Sequence, residues 1–201
     1  GSFYYYVVED SGGQEFRGLA STRNLSYQMS APAAGESRSF RVAAYTNAGY
    51  GAYSQPLVFT SPRTAPSAPS SWTISSNATI VTASWNTKVA NGGADLEHAV
   101  LYRMEGSNWV EVTRAPASDL KLTFPHSLPG QSVTFALRFT NAVGESLNSR
   151  PYSTRLAYSP TSEVQNLVAT AAGAKVALTW SDPANIGGSA PSYAEIQYSD
   201  D

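Results

Sequence analysis

Apolar and polar residues alternate at period two through the middle of the chain. Val81, Ala83 and Trp85 share one face of the stretch Val81–Trp85, the pattern of a half-buried strand. Leu120, Leu122 and Phe124 repeat the alternation, with Lys121 and Thr123 between them, and Val133–Phe139 carries it again. Trp72 and Ile74 mark a first edge strand, Ala99–Arg103 a third strand, Trp109–Val112 a fourth and Pro151–Leu156 a last. Turn formers separate these runs: Asn91-Gly92-Gly93, Glu105-Gly106-Ser107-Asn108, Leu128-Pro129-Gly130 and Asn141–Gly144. No stretch of ten residues has helical periodicity. Seven short strands in roughly ninety residues predict an all-β, two-sheet sandwich with its apolar faces turned inward.

The pattern recurs at a fixed spacing. Leu25-Ser-Tyr-Gln-Met29 returns as Leu120-Lys-Leu-Thr-Phe124, Phe40-Arg-Val42 as Phe135-Ala-Leu137, and Gly35, Gly49 and Pro56 as Gly130, Gly144 and Pro151. Trp85 returns as Trp180 and Gly92-Gly93 as Gly187-Gly188, each pair again 95 residues apart. That period is too long for a solenoid unit of roughly 20 to 50 residues, but it suits a small domain. The phase predicts a partial domain over 1–61 (third strand to last strand), a complete one over 62–158, and a partial one over 159–201 (first to third strand). Half a sandwich leaves an inner sheet face open. Three arrangements answer this: a window on a longer array, a deliberately shifted piece, or terminal halves that complement each other head to tail between chains. Short proline-bearing links, Thr60–Pro66 and Ser159–Ser162, limit bending between domains and favour a linear array.

Composition removes several function classes. Thirteen Lys and Arg against fifteen Asp and Glu give a formal charge of -2, so no basic face for nucleic acid is expected. Apolar runs are far too short to insert directly into a bilayer. Cysteine is absent, which excludes disulfides, thiol nucleophiles and cysteine-bearing metal sites.

The ordered motifs resemble tandem fibronectin type III domains. Ala83-Ser84-Trp85 and Leu178-Thr179-Trp180 match the family's second-strand Trp, and Ala65–Pro69 its Pro-containing start. Gly92-Gly93 and Gly187–Pro191 match the element before the third strand. Ser127–Gly130 matches the turn into the sixth strand, and Thr46–Gly49 and Asn141–Gly144 match the ending after it. The likeness spans essentially all residues. It implies an immunoglobulin-like, seven-stranded sandwich in tandem. One departure stands out: the family's Tyr at the start of the sixth strand is Arg38 in one repeat and Val133 in the next, so the tyrosine-corner hydrogen bond is expected to be absent or replaced.

Candidate chemistry is sparse. His98 and His126, at the start of the third strand and in the turn before the sixth, have no repeated carboxylate companions. The adjacent carboxylates Glu9-Asp10 and Asp200-Asp201 point to opposite faces of a strand and read as turn formers. No phosphate loop, zinc motif or nucleophile elbow occurs. No enzyme activity, cofactor or metal is expected. Seven of the twelve tyrosines lie before residue 54, and Tyr50, Tyr53 and Trp109 are the candidate recognition surface, since exposed aromatics suit protein or sugar contacts. Asn24-Leu-Ser26 and Asn77-Ala-Thr79 are candidate glycan acceptors. The expected function is a non-catalytic structural spacer and adhesion scaffold segment of a long, extracellular or cell-surface repeat protein, with a filament or surface array as the assembly it would form. Its expected partners are other proteins or neighbouring repeats. The alternative is a protein- or carbohydrate-binding accessory module attached to an enzyme.

Overall fold

The computed structural model describes residues 4–10 and 15–199. Its strands begin with β1 (Tyr4–Asp10), β2 (Arg17–Thr22), β3 (Ser37–Thr46), β4 (Gly49–Tyr50) and β5 (Leu57–Thr60). There follow β6 (Trp72–Ser76), β7 (Ile80–Trp85), β8 (Leu96–Glu105), β9 (Asn108–Pro116) and β10 (Lys121–Pro125). The last are β11 (Ser132–Asn141), β12 (Gly144–Glu145), β13 (Tyr152–Arg155), β14 (Gln165–Ala172) and β15 (Lys175–Ser181). Two compact units result: unit 1 is Gly1–Ser67, Ala90–Leu96 and Thr140–Glu145, and unit 2 is Ala68–Val89, Glu97–Phe139 and Ser146–Asp201. Asp200-Asp201 and the side chains of Glu9 and Asp10 lie outside the described residues.

Unit 2 holds the sandwich that the alternation predicts. One sheet runs β10-β7-β6, and the other places β11 between β8 and β13 with β9 outside β8. Val81 and Ala83 from the first sheet, and Leu101, Phe135, Leu137 and Phe139 from the second, are buried. Phe124 and Phe135 meet edge to face at 6.1 Å across the core. Each large apolar side chain buried in this way contributes about 1.5–3 kcal/mol.

Trp85 ties the two halves of this core together. Its ring is buried, its Nε1–H donates to Ala117 O (3.0 Å), and its backbone N–H donates to Leu120 O (3.0 Å). To meet both, the chain makes a 3-10 turn at Ala117–Asp119 that ends on Leu120 in the left-handed region, φ 60°. This explains why Leu120 does not point inward as the alternation predicts. Its carbonyl serves Trp85, and its side chain is turned out and 47% exposed. At the two tyrosine-corner positions the side chains differ: Val133 is buried and has no group to make that hydrogen bond, while Arg38 Nε donates to Glu36 Oε1 (2.9 Å).

The described residues of unit 1 form one sheet, β2-β1-β3-β4 with β5 also on β3. Its β3–β5 register, Ser37↔Thr60 to Phe40↔Leu57, is the β11–β13 register, Ser132↔Arg155 to Phe135↔Tyr152, moved by 95 residues. Two stretches behave differently from their counterparts. Residues 25–29 form no strand, although Lys121–Pro125 does. Residues 190–199 form none either, although β8 does. The physical reason is pairing: β10 is held by β7 and β8 by β9 and β11, and an extended segment without a hydrogen-bonded neighbour gains nothing from strand geometry. The hairpin β14–β15 does form, but every one of its residues is exposed.

Two substitutions check the Trp85 arrangement by urea denaturation. Trp85→Ala is expected to cost about 3–5 kcal/mol of sandwich stability. Leu120→Asn is expected to stay within about 1 kcal/mol of the parent, because Asn tolerates positive φ and the lost side chain is exposed.

Candidate functional site

On unit 1, strand alternation puts Arg41, Ala43 and Tyr45 on one face of β3. β1 lays Tyr6 beside Ala43, and β4 sets Tyr50 opposite Tyr45. The chain then stays against β3 through Gly51 N–H to Ala44 O (2.8 Å) and Ser54 N–H to Val42 O (2.9 Å), which places Tyr53 on the same face. The outcome is a continuous aromatic and cationic row. The Arg41 guanidinium lies 3.7 Å from the Phe16 ring centroid and 4.2 Å from that of Tyr53. Tyr53 stacks on Tyr50 at 6.4 Å and 18°. Tyr50 also meets Tyr45 at 4.9 Å and Tyr6 at 5.6 Å.

Tyr50 is the most open member, 56% exposed. Partial desolvation by its neighbours, with the nearby phenols of Tyr6, Tyr53 and Tyr45 adding to it, raises its pKa above the ordinary phenol value. Arg41 Nε is buried with no hydrogen-bond partner, so the rings on either side are its compensation, each worth about 0.5–2 kcal/mol. Such a row can stack on a proline or sugar ring and offer phenolic hydroxyls beside it. Of the candidate recognition residues, the structure brings Tyr50 and Tyr53 together. Trp109 lies half-buried on β9 in unit 2. Phe16 and Arg41 were missed in the sequence. The signal available was the alternation of Arg41 with Tyr45 along one strand.

A second arrangement occurs once in each unit. In unit 1, Gly35 and Gly93 come so close that a Cβ on Gly35 would lie 2.9 Å from Gly93 O, and one on Gly92 would overlap Thr64 O. Thr64 N–H donates to Gly92 O (2.9 Å) and Ser67 N–H to Ala90 O (2.8 Å), while Ser67 Oγ accepts from Ala90 N–H (3.1 Å). In unit 2, a Cβ on Gly130 would lie 2.8 Å from Gly188 O, and one on Gly187 would overlap Ser159 O. Ser159 N–H donates to Gly187 O (3.1 Å) and Ser162 N–H to Asn185 O (2.9 Å), while Ser162 Oγ accepts from Asn185 N–H (3.2 Å). All these positions correspond at 95 residues. Unit 1 adds a clamp: the buried Asn141 donates through Nδ2 to Thr64 O (2.8 Å) and Asn91 O (2.7 Å). The unit 1 joint is backbone against backbone, and in unit 2 the Tyr158 ring closes on Gly130 as well, 2.6 Å from where a Cβ would lie; neither leaves room for a side chain at the contact.

The other predicted residues are scattered. His126 Nε2 lies 3.0 Å from Asn77 O, and His98 is half-buried on β8. Asn24 and Asn77 are both exposed, and Asn77 Oδ1 accepts from Thr79 and Ile80 N–H (3.0 and 2.8 Å). Among the described residues no three His, Cys, Asp or Glu side chains converge as a metal site would need. No helix there is long and apolar enough to cross a membrane.

Three-stranded and five-stranded sheets in this order, with a Trp on the second strand of the smaller sheet, define the sandwich. The fold is fibronectin type III-like. No family model and no curated protein matches the chain. Among solved structures it is similar to the FN1–FN3 domains of chicken CNTN1, at 15% identity over 78% of this chain and 57% of that one, TM-score 0.41. It is similar to a stretch of domains from titin at 16% identity, 75% and 54% coverage and TM-score 0.45. It is also similar to an FN3tt mutant at 19% identity, 46% and 97% coverage and TM-score 0.39. The chain thus spans a little over half the length of the first two.

The glycine joints are checked by substitution. Gly92→Ala and Gly187→Ala, which drive a Cβ into a carbonyl, are each expected to cost more than about 2 kcal/mol and to strip protection from the amides of Thr64 and Ser159 respectively. Gly106→Ala, at φ 61° but in open space, is expected to cost only about 1 kcal/mol.

Proposed function

We propose that the chain is a non-catalytic structural spacer and adhesion scaffold segment of a long repeat protein at the cell surface or outside the cell. Its repeats run over 1–61, 62–158 and 159–201. The observation that carries this reading is the glycine joint, present in the same form in both units. A scaffold has to hold successive domains at defined distances, and a joint closed by backbone hydrogen bonds resists bending more than a flexible linker does. Pro66, on the segment between the first two repeats, is buried, as is Pro69. Neighbouring repeats and other proteins are the partners this surface suits.

The aromatic row favours a second reading, a protein- or carbohydrate-binding accessory module attached to an enzyme. Tyr50 and Tyr53 are exposed and stacked, the geometry in which a ring ligand extends the stack. The two readings separate in one titration. An accessory module is expected to show saturable shifts of the Tyr50 and Tyr53 ring signals with soluble oligosaccharides, abolished by Tyr50→Ala. A pure scaffold shows none.

The scaffold reading itself is tested by amide hydrogen exchange, residue by residue. The amides of Thr64, Ser67, Ser159 and Ser162 are expected to exchange far more slowly than free peptide, because each donates within a joint. Exchange of these four at free-peptide rates would overturn it. Secretion from eukaryotic cells supplies a check on location: occupancy of Asn24 or Asn77 appears as a mass loss on enzymatic deglycosylation.

A further inference from the structure

The outer face of the unit 1 sheet holds positive charge that no described carboxylate answers. β3 turns Arg41 and Tyr45 to the side opposite Phe40 and Val42, and β1, β2 and β4 complete that side from within the described residues. The same side is open in the next repeat. There Arg138, which alternates with the buried Leu137 and Phe139, lies half-buried over Tyr102, and Glu145, 95 positions on from Tyr50, is exposed. Exposure of the row is thus a property of the sheet's outer face.

Two arginines bracket this face. Arg41 sits opposite Val8 of β1, and Tyr4, four residues back along β1, sits opposite Tyr45. The Arg23 guanidinium lies 4.8 Å from the Tyr4 ring centroid and donates through Nη2 to the Tyr4 hydroxyl (2.5 Å). One cation therefore stands near each end, about 13 Å apart along the strand, with Tyr6 between them and Tyr50 against Tyr6 at 5.6 Å. Neither arginine has an ion pair with a described carboxylate. Arg41 has two rings packed on its guanidinium and its Nε buried without a partner. What it has left to offer is the set of N–H donors in its plane, which a carboxylate meets in bidentate fashion.

We propose that this face binds an acidic polysaccharide chain, with the carboxylates of hexuronic acid residues on Arg41 and Arg23 and a sugar ring on Tyr50. The proposal rests on the accessory-module reading and narrows its ligand from any ring to a carboxylate-bearing sugar. Cations at both ends of the face favour an acid that recurs along the ligand over a single acid at its tip. The phenolic hydroxyls between them suit the hydroxyl-rich edge of a sugar, while the rings give it an apolar surface to lie on. Arg41 is held in place by its two rings, so little side-chain freedom is lost when it engages an anion. The chain as a whole has a formal charge of -2, so the attraction for anions is local to this face rather than general to the protein.

Calorimetric titration of the 201-residue chain separates this proposal from the reading it rests on. The probes are a hyaluronan hexasaccharide, in which hexuronic acid alternates with a neutral sugar, and its carboxyl-reduced counterpart with the same rings and no charge. The acidic probe is expected to bind saturably, and the reduced one at least about tenfold more weakly. Arg41→Gln is expected to cost about tenfold for the acidic probe and to leave the reduced one unchanged. Arg23→Gln, at an exposed position, is expected to repeat that pattern with a smaller loss. Slow exchange of the Ser54 amide, which donates to Val42 O (2.9 Å), reports a folded unit 1 in each variant. Where Arg41→Gln fails that check, Arg23→Gln and the reduced probe carry the test. Equal affinity for the two hexasaccharides overturns the carboxylate inference and leaves the accessory module standing, whereas binding of neither overturns both. Unchanged affinity for the acidic probe in both folded variants also overturns the proposal. So does equally tight binding of oligo-glutamate, which would make the ligand a peptide, or of a sialylated trisaccharide, which would make it a terminal acid.

Discussion

An apolar sheet face has to be covered, and the burial of the described strands follows from whether a second sheet lies across from them. In unit 2, β6, β7 and β10 close over β8, β11 and β13, and Val81, Leu101, Leu137 and Phe139 lose all contact with solvent. In unit 1 the same sequence pattern builds the same β3–β5 register, but the face it makes stays open. The difference between Leu137 and Val42 is not one of local preference. Both are apolar residues on alternating strands, and burial comes from what lies across the core.

The second organising feature is the contact of backbone with backbone at the joints. A turn ending in Gly35 or Gly130 approaches a Gly-Gly loop so closely that no side chain fits between. The amides and carbonyls brought together there are then paired with one another, which removes the cost of burying them unpaired. Proline restricts the adjoining segment from the other side, by removing donors and fixing φ. These contacts depend on a few glycines and main-chain bonds, whereas strand faces such as the tyrosine row differ between positions 95 residues apart.

That row shows how far side-chain chemistry can diverge on a shared frame. The positions that carry Tyr6, Tyr45, Tyr50 and Tyr53 in the first repeat carry Leu101, Thr140, Glu145 and Asn148 in the second. In unit 2 an arginine again lies over a ring, Arg138 over Tyr102 at 4.2 Å, but on different positions. Tyr50 and Tyr53 stood out as candidates by composition and loop position, whereas Trp109 did not join them. A strand's outer face is visible in its alternation, but which strand's outer face adjoins which is a property of the sheet.

Period-two alternation and turn residues determined the all-β class, the succession of strands along residues 72–156 and the apolar set around Trp85, because each is a local consequence of strand geometry. The glycine pairs were equally legible as repeated elements, although not as partners of Gly35 and Gly130. Tertiary structure decided the rest. Leu120 turned outward because its carbonyl was needed by Trp85. Residues 25–29 and 190–199 carry strand-forming patterns yet form no strand. A strand exists only with a hydrogen-bonded neighbour, and which neighbour is present is decided by chain segments far away in sequence.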